Sequence, residues 1–229
     1  MEKYEEAIKD FGQAVELDPK DSWALGIRGD TYLLMKKYEE AIKDFNQAVE
    51  LDPKDSRAFS SRGLTYLSME KYEEAIKDFD QAIGLDPKVA WIFGHRGQAN
   101  RSMEKHEEAI KDFNKAIEID STNDWWRYQR SLIYLVNNNL SEANQDLELA
   151  IELSDQIYQK SPSDRRNTFN LALYYLAIAN HKLSRQLYID ALKEDVSAEL
   201  KNGAIDDLDN FISLFPKNKH AKAMRKWFE

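Results

Sequence analysis

The chain has 229 residues, 42% hydrophobic and 32% charged, with a formal net charge of −9. That is enough apolar material for a buried core, and the acidity argues against a nucleic-acid binder, which needs a basic face to displace counterions. Zero cysteines exclude a disulfide framework, a cysteine nucleophile and thiolate metal sites, and no apolar run approaches the ~18 residues of a membrane helix.

In chain order, the first signal is repetition. Residues 1–10 read MEKYEEAIKD, and residues 69–78 read the same. A related stretch at 36–45 divides that interval into a period of 34, and another follows in phase at 104–113. Residues 22–55 and 56–89 are identical at 23 of 34 positions, so the chain is a tandem array. Within one period, Tyr38, Ala41, Ile42, Phe45, Ala48 and Val49 form a helical apolar stripe. Glu39, Glu40, Lys43 and Asp44 occupy the opposite, solvated side, with Glu39 and Lys43 as an i,i+4 pair. The Asp-Pro-Lys-Asp-Ser stretch at 52–56 ends one helix, and Asp55 or Ser56 caps the next. One such hairpin cannot bury its own apolar face, so stacked neighbours must supply a continuous core.

The pattern resembles the tetratricopeptide repeat (TPR) family. With Ser22 as position 1, residues 22–55 carry Gly29, Tyr32, Ala41, Phe45, Ala48 and Pro53 at positions 8, 11, 20, 24, 27 and 32. Residues 56–89 match with Gly63, Tyr66, Ala75, Phe79, Ala82 and Pro87. Residues 90–123 keep Gly97, Ala109, Phe113 and Ala116, but Asn100 replaces the tyrosine and Ser121 the proline. A degenerate unit at 124–161 keeps Tyr134, Ala143 and Ala150, with Ser131, Leu147 and Asp155 at the glycine, phenylalanine and proline positions. The resemblance implies an all-α, right-handed superhelical solenoid of antiparallel helix pairs. The small residues let paired helices approach closely.

Arg28, Arg62, Arg96 and Arg130 recur at position 7, and Asp10, Asp44, Asp78, Asp112 and Asp146 at position 23. They could form a basic ladder for anionic ligands. We favour a structural ladder in which each arginine pairs with an aspartate on an adjacent second helix, because donor and acceptor share one period and an unpaired semi-buried charge is costly.

Residues 1–21 read as a half repeat, a second helix whose antiparallel partner is absent; Tyr4, Ile8, Phe11 and Val15 would be covered on one side only. The chain could be part of a longer array, the start could be an internal methionine, or another protomer could cover the face. The first two are favoured over the third.

Towards the C-terminus a long second helix is expected from about Ser141 to Gln159, stopped by Ser161-Pro162-Ser163, with Ser163 or Asp164 capping the next. Residues 162–216 read as one divergent unit in which Ala204, Leu208, Phe211 and Pro216 recover positions 20, 24, 27 and 32. That alignment requires an insertion of about 12–20 residues near 184–200, and a divergent terminal unit is usual in solenoids. Residues 217–229 form a capping helix with Ala221, Met224, Trp227 and Phe228 on one face. Its five cations (Lys217, Lys219, Lys222, Arg225 and Lys226) against Glu229 give it +4, leaving −13 on the remainder. Such a basic end could touch an acidic partner or a membrane surface, but a solvated cap is the favoured reading.

No catalytic chemistry emerges. His95, His106, His181 and His220 lack metal-ligand spacing, and His106 stands where Tyr38 and Tyr72 stand, as a packing substitution. There is no nucleophile elbow and no phosphate-binding glycine loop, and the repeated Glu-Glu pairs are solvated helix faces. The chain is expected to be a non-enzyme without cofactor or metal. An enzyme would need a closed polar pocket in 160–216, where Asp164, Arg165, Arg166, Tyr174, Tyr175 and His181 occur.

Function is therefore sought in the concave surface, which the resemblance lines with positions 2, 5, 6, 9, 12 and 13 of each first helix. The expected groove residues are Trp23, Arg57, Trp91, His95, Gln98, Arg101, Trp125 and Tyr128. The tryptophans are the candidate anchors, since aromatic groups dominate interface energetics; the alternative is that some of them pack between helix ends. Gly26 and Gly94 at position 5 should leave depressions beside those rings, and Arg57, Gln98 and Arg101 should pair polar groups of a bound peptide. TPR domains that clamp chaperone C-terminal carboxylates carry Lys and Asn at positions 5 and 9, Asn at 6 of the next repeat, and Lys and Arg at 2 and 6 of the third. Here Gly26, Asp30, Ser61, Trp91 and His95 occupy those places, so binding of a chaperone tail is disfavoured. The expectation is a cytoplasmic scaffold or adaptor binding a protein or peptide, without nucleic acid or a membrane span. The alternative is self-assembly into homo-oligomers through the uncovered N-terminal helix and the C-terminal end.

Overall fold

The computed structural model describes residues 2–193 and 196–228, with side chains from Lys3 onward. All regular elements among them are helical, and the chain forms two compact units, residues 1–119 and 120–229.

The first unit holds α1 (Glu2–Leu17), α2 (Ser22–Leu34), α3 (Tyr38–Leu51), α4 (Ser56–Ser68), α5 (Tyr72–Leu85), α6 (Ala90–Ser102) and α7 (His106–Ile119). Helices α2/α3, α4/α5 and α6/α7 form antiparallel hairpins, and α1, α3 and α5 also pack on the first helix of the pair that follows each. The starts are capped as the sequence implies. Asp21 accepts hydrogen bonds from the Trp23 and Ala24 N–H groups, and Asp55 accepts from that of Arg57. Val89 occupies the third such position and makes no side-chain cap.

Each hairpin turns through a residue in the left-handed region: Lys36 at φ 58°, Glu70 at 59° and Glu104 at 59°. This reversal lets the Lys37 N–H donate to the Tyr32 carbonyl at 2.9 Å, satisfying an end carbonyl of α2. Close approach is needed where the paired helices cross. A Cβ on Gly29 would lie 2.8 Å from the Phe45 ring, and one on Gly63 or Gly97 would lie 2.9 Å from Phe79 or Phe113. Ala41, Phe45 and Ala48 are fully buried at that contact, as are their equivalents in the next two pairs.

Beside the packed rings lies the charge ladder. Arg28 donates from Nε and Nη2 to the two oxygens of Asp44, both at 2.7 Å, and Arg62 does the same to Asp78. Arg96 pairs with Asp112, and within the second unit Arg130 pairs with Asp146. The third nitrogen reaches backward: Nη1 of Arg62 donates to Asn46 at 2.8 Å and Nη1 of Arg96 to Asp80 at 2.6 Å. These arginines fasten second helices together across each first helix, which favours the structural reading of the ladder over an anion-binding one.

The second unit holds α8 (Asp124–Val136), α9 (Leu140–Lys160), α10 (Arg165–Ala177), α11 (His181–Leu192), α12 (Ala198–Leu214) and α13 (Lys219–Arg225), followed by a 3₁₀ turn at Lys226–Phe228. Helix α9 has 21 residues where α3, α5 and α7 have 14, so the next reversal, Ala179 at φ 61°, falls 41 residues after Asn138 instead of 34. Allowing for those two extra turns, α10 and α11 are a repeat in register, with Ala172, Ser184, Tyr188 and Ala191 at positions 8, 20, 24 and 27, all buried. The structure thus differs from the insertion expected near 184–200: residues 181–192 are the second helix of this pair. The part of that expectation falling on Glu194 and Asp195 lies outside the described residues.

Ala204, Leu208 and Phe211 are buried on α12, which packs against α10 and α13. One apolar cluster runs from Tyr128 and Leu132 through Phe169, Leu173 and Tyr188 to Ala221 and Met224. The region where an enzyme would need a polar pocket is therefore packed apolar core. Tyr174 is fully buried there, its hydroxyl donating to Asp124 at 2.8 Å, and Asp164 is spent as a helix cap on Asn167. The C-terminal face is less uniform than the sequence implies. Ala221 and Met224 are buried and Phe228 packs against Phe169 and Tyr188, but Trp227 stays 37% exposed beneath the Arg185 guanidinium.

Candidate functional site

In the first unit, α2, α4 and α6 lie side by side. Residues that repeat at one register therefore form rows across neighbouring helices. A shallow depression, open to solvent, lies between α2 and α4, lined by Trp23, Gly26, Ile27, Asp30, Phe45, Asp55, Arg57, Ala58 and Ser61.

Its shape follows from the residue types. Gly26 has no atom within 4 Å of where a Cβ would be, so the wall of α2 is empty at that point. Ala58 and Ser61 keep the facing wall of α4 low. Trp23 stands at the rim, 61% exposed, with its ring edge-on to Phe11 at 5.9 Å. Arg57 crosses from α4 to Asp30 on α2, with Nη2 2.6 Å from Oδ2. Both partners reach solvent, so the pair contributes little stability, on the order of 0–1 kcal/mol. Arg57, expected to pair polar groups of a bound peptide, thus already has a carboxylate beside it. An incoming charged group must share or exchange that partner.

The third first helix presents a different patch. Trp91, 37% exposed, meets His95 edge-on at 5.7 Å, and the imidazole stacks over Phe79 at 6.4 Å. Nδ1 of His95 and Oε1 of Gln98 are 2.7 Å apart. Burial pushes the His95 imidazole below its usual range, while the Gln98 contact pulls the other way. A neutral ring with Nδ1–H donating to Gln98 fits both facts. Arg101, one turn further along α6, is half-buried. Gly94 is buried, so the second depression expected at position 5 does not open there.

The remaining two candidates lie in the second unit. The Trp125 ring is half-buried and 5.3 Å from that of Tyr128. Tyr128 itself is 1% exposed and packs 4.9 Å from the Tyr174 ring. It belongs to the core, which corrects its placement on the contact surface. Position 5 of that repeat is covered by α10 and not open to solvent.

Asp30, Ile27 and Ser61 are surface residues that were not among the expected contacts. Their register, positions 9 and 6, was the available signal, but nothing in their residue types marks them. Among the described residues, no group of histidine, aspartate and glutamate side chains is placed to hold a metal ion, and no helix is long and apolar enough to cross a membrane.

Three comparisons bear on this geometry. No curated protein sequence matches the chain significantly. Among solved structures it is similar to MamA (residues 41 to the end) from Desulfovibrio magneticus RS-1, at 19% identity and a TM-score of 0.63, over 67% of this chain and 86% of that one. It is also similar to YrrB, described as a TPR protein with an unusual peptide-binding site, at 18% identity and a TM-score of 0.53, over 94% and 97% of the two chains. The first TPR of Spaghetti (RPAP3), bound to the HSP90 peptide SRMEEVD, aligns at 25% identity and a TM-score of 0.50, over 51% of this chain and 95% of that one. Tetratricopeptide repeat models match residues 22–55, 56–89 and 90–123, and a second model of the same name matches 1–21. The matched residues together exceed half of the chain, and the protein belongs to the tetratricopeptide repeat family.

Proposed function

We propose that the protein is a non-catalytic scaffold or adaptor that binds an extended or helical peptide segment of a partner across α2, α4 and α6. The observation that carries this reading is the depression between α2 and α4, with a vacant wall at Gly26 beside the exposed ring of Trp23. An apolar side chain of the partner enters against Trp23 and Ile27, and Arg57 and Asp30 hold its neighbouring polar groups. Trp91 supplies a second anchor on the same row. Rigid aromatic groups give large contact area for little entropic cost, which is why they dominate interface energetics.

The chemistry disfavours an acidic chaperone tail as partner. The clamp residues are replaced by Gly26, Asp30, Ser61, Trp91 and His95, and Asp30 would repel a terminal carboxylate. A peptide with an apolar anchor flanked by a cation fits better, its cation taking Asp30 in place of Arg57.

The test is a peptide-array selection against the full chain, followed by Trp23→Ala, Trp91→Ala and Asp30→Lys. Loss of binding on Trp23→Ala, with Asp30→Lys reversing the charge preference of the bound peptides, is the expected result. Peptides that bind all three variants as well as the wild type would place the contact elsewhere.

A further inference from the structure

We infer that helix α12 is a strap held on α10 by a proton: Asp207 fastens it while neutral and loosens it once ionised. This device is independent of the peptide groove in the first unit. It rests on a ladder aspartate that has no arginine.

The four complete ladder pairs show what an aspartate at position 23 needs. Asp44, Asp78, Asp112 and Asp146 each accept from the arginine 16 residues earlier, at position 7 of the same hairpin. Those carboxylates can stay ionised although buried, because each has a guanidinium against it. In the α10/α11 pair both members are replaced together: Leu171 stands at position 7 and Leu187 at position 23, and both are buried.

Helix α12 keeps only one member. With Ala204, Leu208 and Phe211 at positions 20, 24 and 27, Asp207 falls at position 23. The residue 16 places before it is Ala191, which already belongs to the second helix α11, so no arginine precedes it at the ladder spacing. Residues 204, 207, 208 and 211 share one side of a helix. That side enters the apolar cluster with Leu173, Tyr174 and Tyr188. Among the described residues no hydrogen bond or ion pair engages the Asp207 carboxyl.

The charges around it do not replace the missing guanidinium. Burial pushes the carboxyl up, the adjacent Asp206 adds to this, and Arg166 on α10 opposes both, leaving it at about 7. From α13, Arg225 is bound to Asp209 at 2.9 Å. Tyr174 on α10 and Tyr188 on α11 are buried phenols held well above their usual range, and the Tyr174 hydroxyl donates to Asp124. His181 and His220 stack on each other at 3.7 Å between α11 and α13. Burial first and His220 second lower the His181 imidazole, so its titration removes stability as pH falls, the opposite sense to Asp207. A neutral Asp207 thus fits the face that α12 turns to α10, whereas an ionised one places an uncompensated charge in it. Loss of the proton shifts α12 towards release and uncovers the face of α10 beneath it.

Hydrogen exchange of the full chain, read by mass spectrometry on peptides of α12 from pH 5 to 8 and corrected for intrinsic amide exchange, is the test. With the carboxyl at about 7 in the docked helix and about 4 in the released one, the opening equilibrium should rise roughly fiftyfold between pH 5 and 7, and no more than about twofold from pH 7 to 8. The rise should appear in α12 while α8 and α9 keep their protection. Asp207→Asn should abolish it. Asp206→Asn, at an exposed position, should shrink it, because the like charge that disfavours ionisation is gone. Both histidines are present in every variant, so their contribution cancels in the comparison. A wild-type profile that is flat or matches Asp207→Asn at every pH would overturn the inference. So would an Asp206→Asn rise equal to that of the wild type, or opening of α12 only together with α8 and α9.

Discussion

Removing Asp112 tests the ladder where its geometry is richest. The Asp112 side chain is 6% exposed and accepts from Arg96 Nε at 3.1 and 3.2 Å, from Arg96 Nη2, and from Asn100 Nδ2 at 3.0 Å. Deleting one member of a buried ion pair costs about 3–5 kcal/mol, because the other is left desolvated without compensation. Arg96 is 22% exposed and keeps Asp80 at 2.6 Å, so part of that penalty is avoided. Asn100 is 6% exposed and loses an acceptor, which adds to it. Asp112→Ala should therefore destabilise the first unit by about 2–4 kcal/mol. Urea denaturation followed by far-ultraviolet circular dichroism measures this, with Arg96→Met/Asp112→Leu as the control. That pair removes both charges and should lie within about 1–2 kcal/mol of the wild type. If Asp112→Ala changes stability by less than about 0.5 kcal/mol, a level typical of unconstrained surface sites, the ladder is not structural and the arginines must be explained as ligand contacts.

Three further outcomes follow from the second unit. Ala179 adopts φ 61° without a capping glycine, so Ala179→Gly should stabilise by about 0.5–1 kcal/mol, and a loss of stability in thermal melts would contradict the turn geometry. Gln129 is fully buried and neither of its side-chain polar atoms has a hydrogen-bond partner among the described residues, so Gln129→Leu should gain about 1–2 kcal/mol; destabilisation would show that the amide is satisfied in solution. Asp207 on α12 has its carboxyl raised to about 7, by burial first and by Asp206 second, against the opposing pull of Arg166. A folded-state value above the unfolded one means that the folded state holds the proton more tightly. Stability from this group is thus full below about pH 4 and lost as pH rises through about 7. Asp207→Asn should melt higher than the wild type at pH 8 and converge with it at acidic pH, and a gap independent of pH would refute this.

How much was legible depended on whether a residue's role repeats. Gly29, Ala41, Phe45 and Ala48 recur at fixed spacing because every hairpin must solve the same close approach, so one period identifies the whole first unit. The α10/α11 pair obeys the same physics but was hidden by the seven additional residues of α9 and by Ser184 and Tyr188 in place of alanine and phenylalanine. Sequence spacing found α12 instead, whose Ala204, Leu208 and Phe211 carry the familiar pattern on a helix that packs against α10. The binding surface was legible only in part. Position 2 stands out in the sequence for its aromatic content, but the sequence cannot distinguish Trp23, 61% exposed, from Trp126, 4% exposed and three positions into its own helix. Nor could it place Tyr128 in the core, because its burial is created by Tyr174, 46 residues later and after the irregular helix. The Asp30–Arg57 pair joins neighbouring repeats, and neither residue recurs in register to announce it.

The most direct test of the binding proposal is isothermal titration of selected peptides against the full chain and its Trp23→Ala variant. The account predicts that peptides from an unbiased library bind the wild type with one apolar anchor, and that Trp23→Ala weakens them by roughly tenfold or more, the cost of truncating an interface hot spot. Peptides whose affinity is the same for both proteins would contradict it.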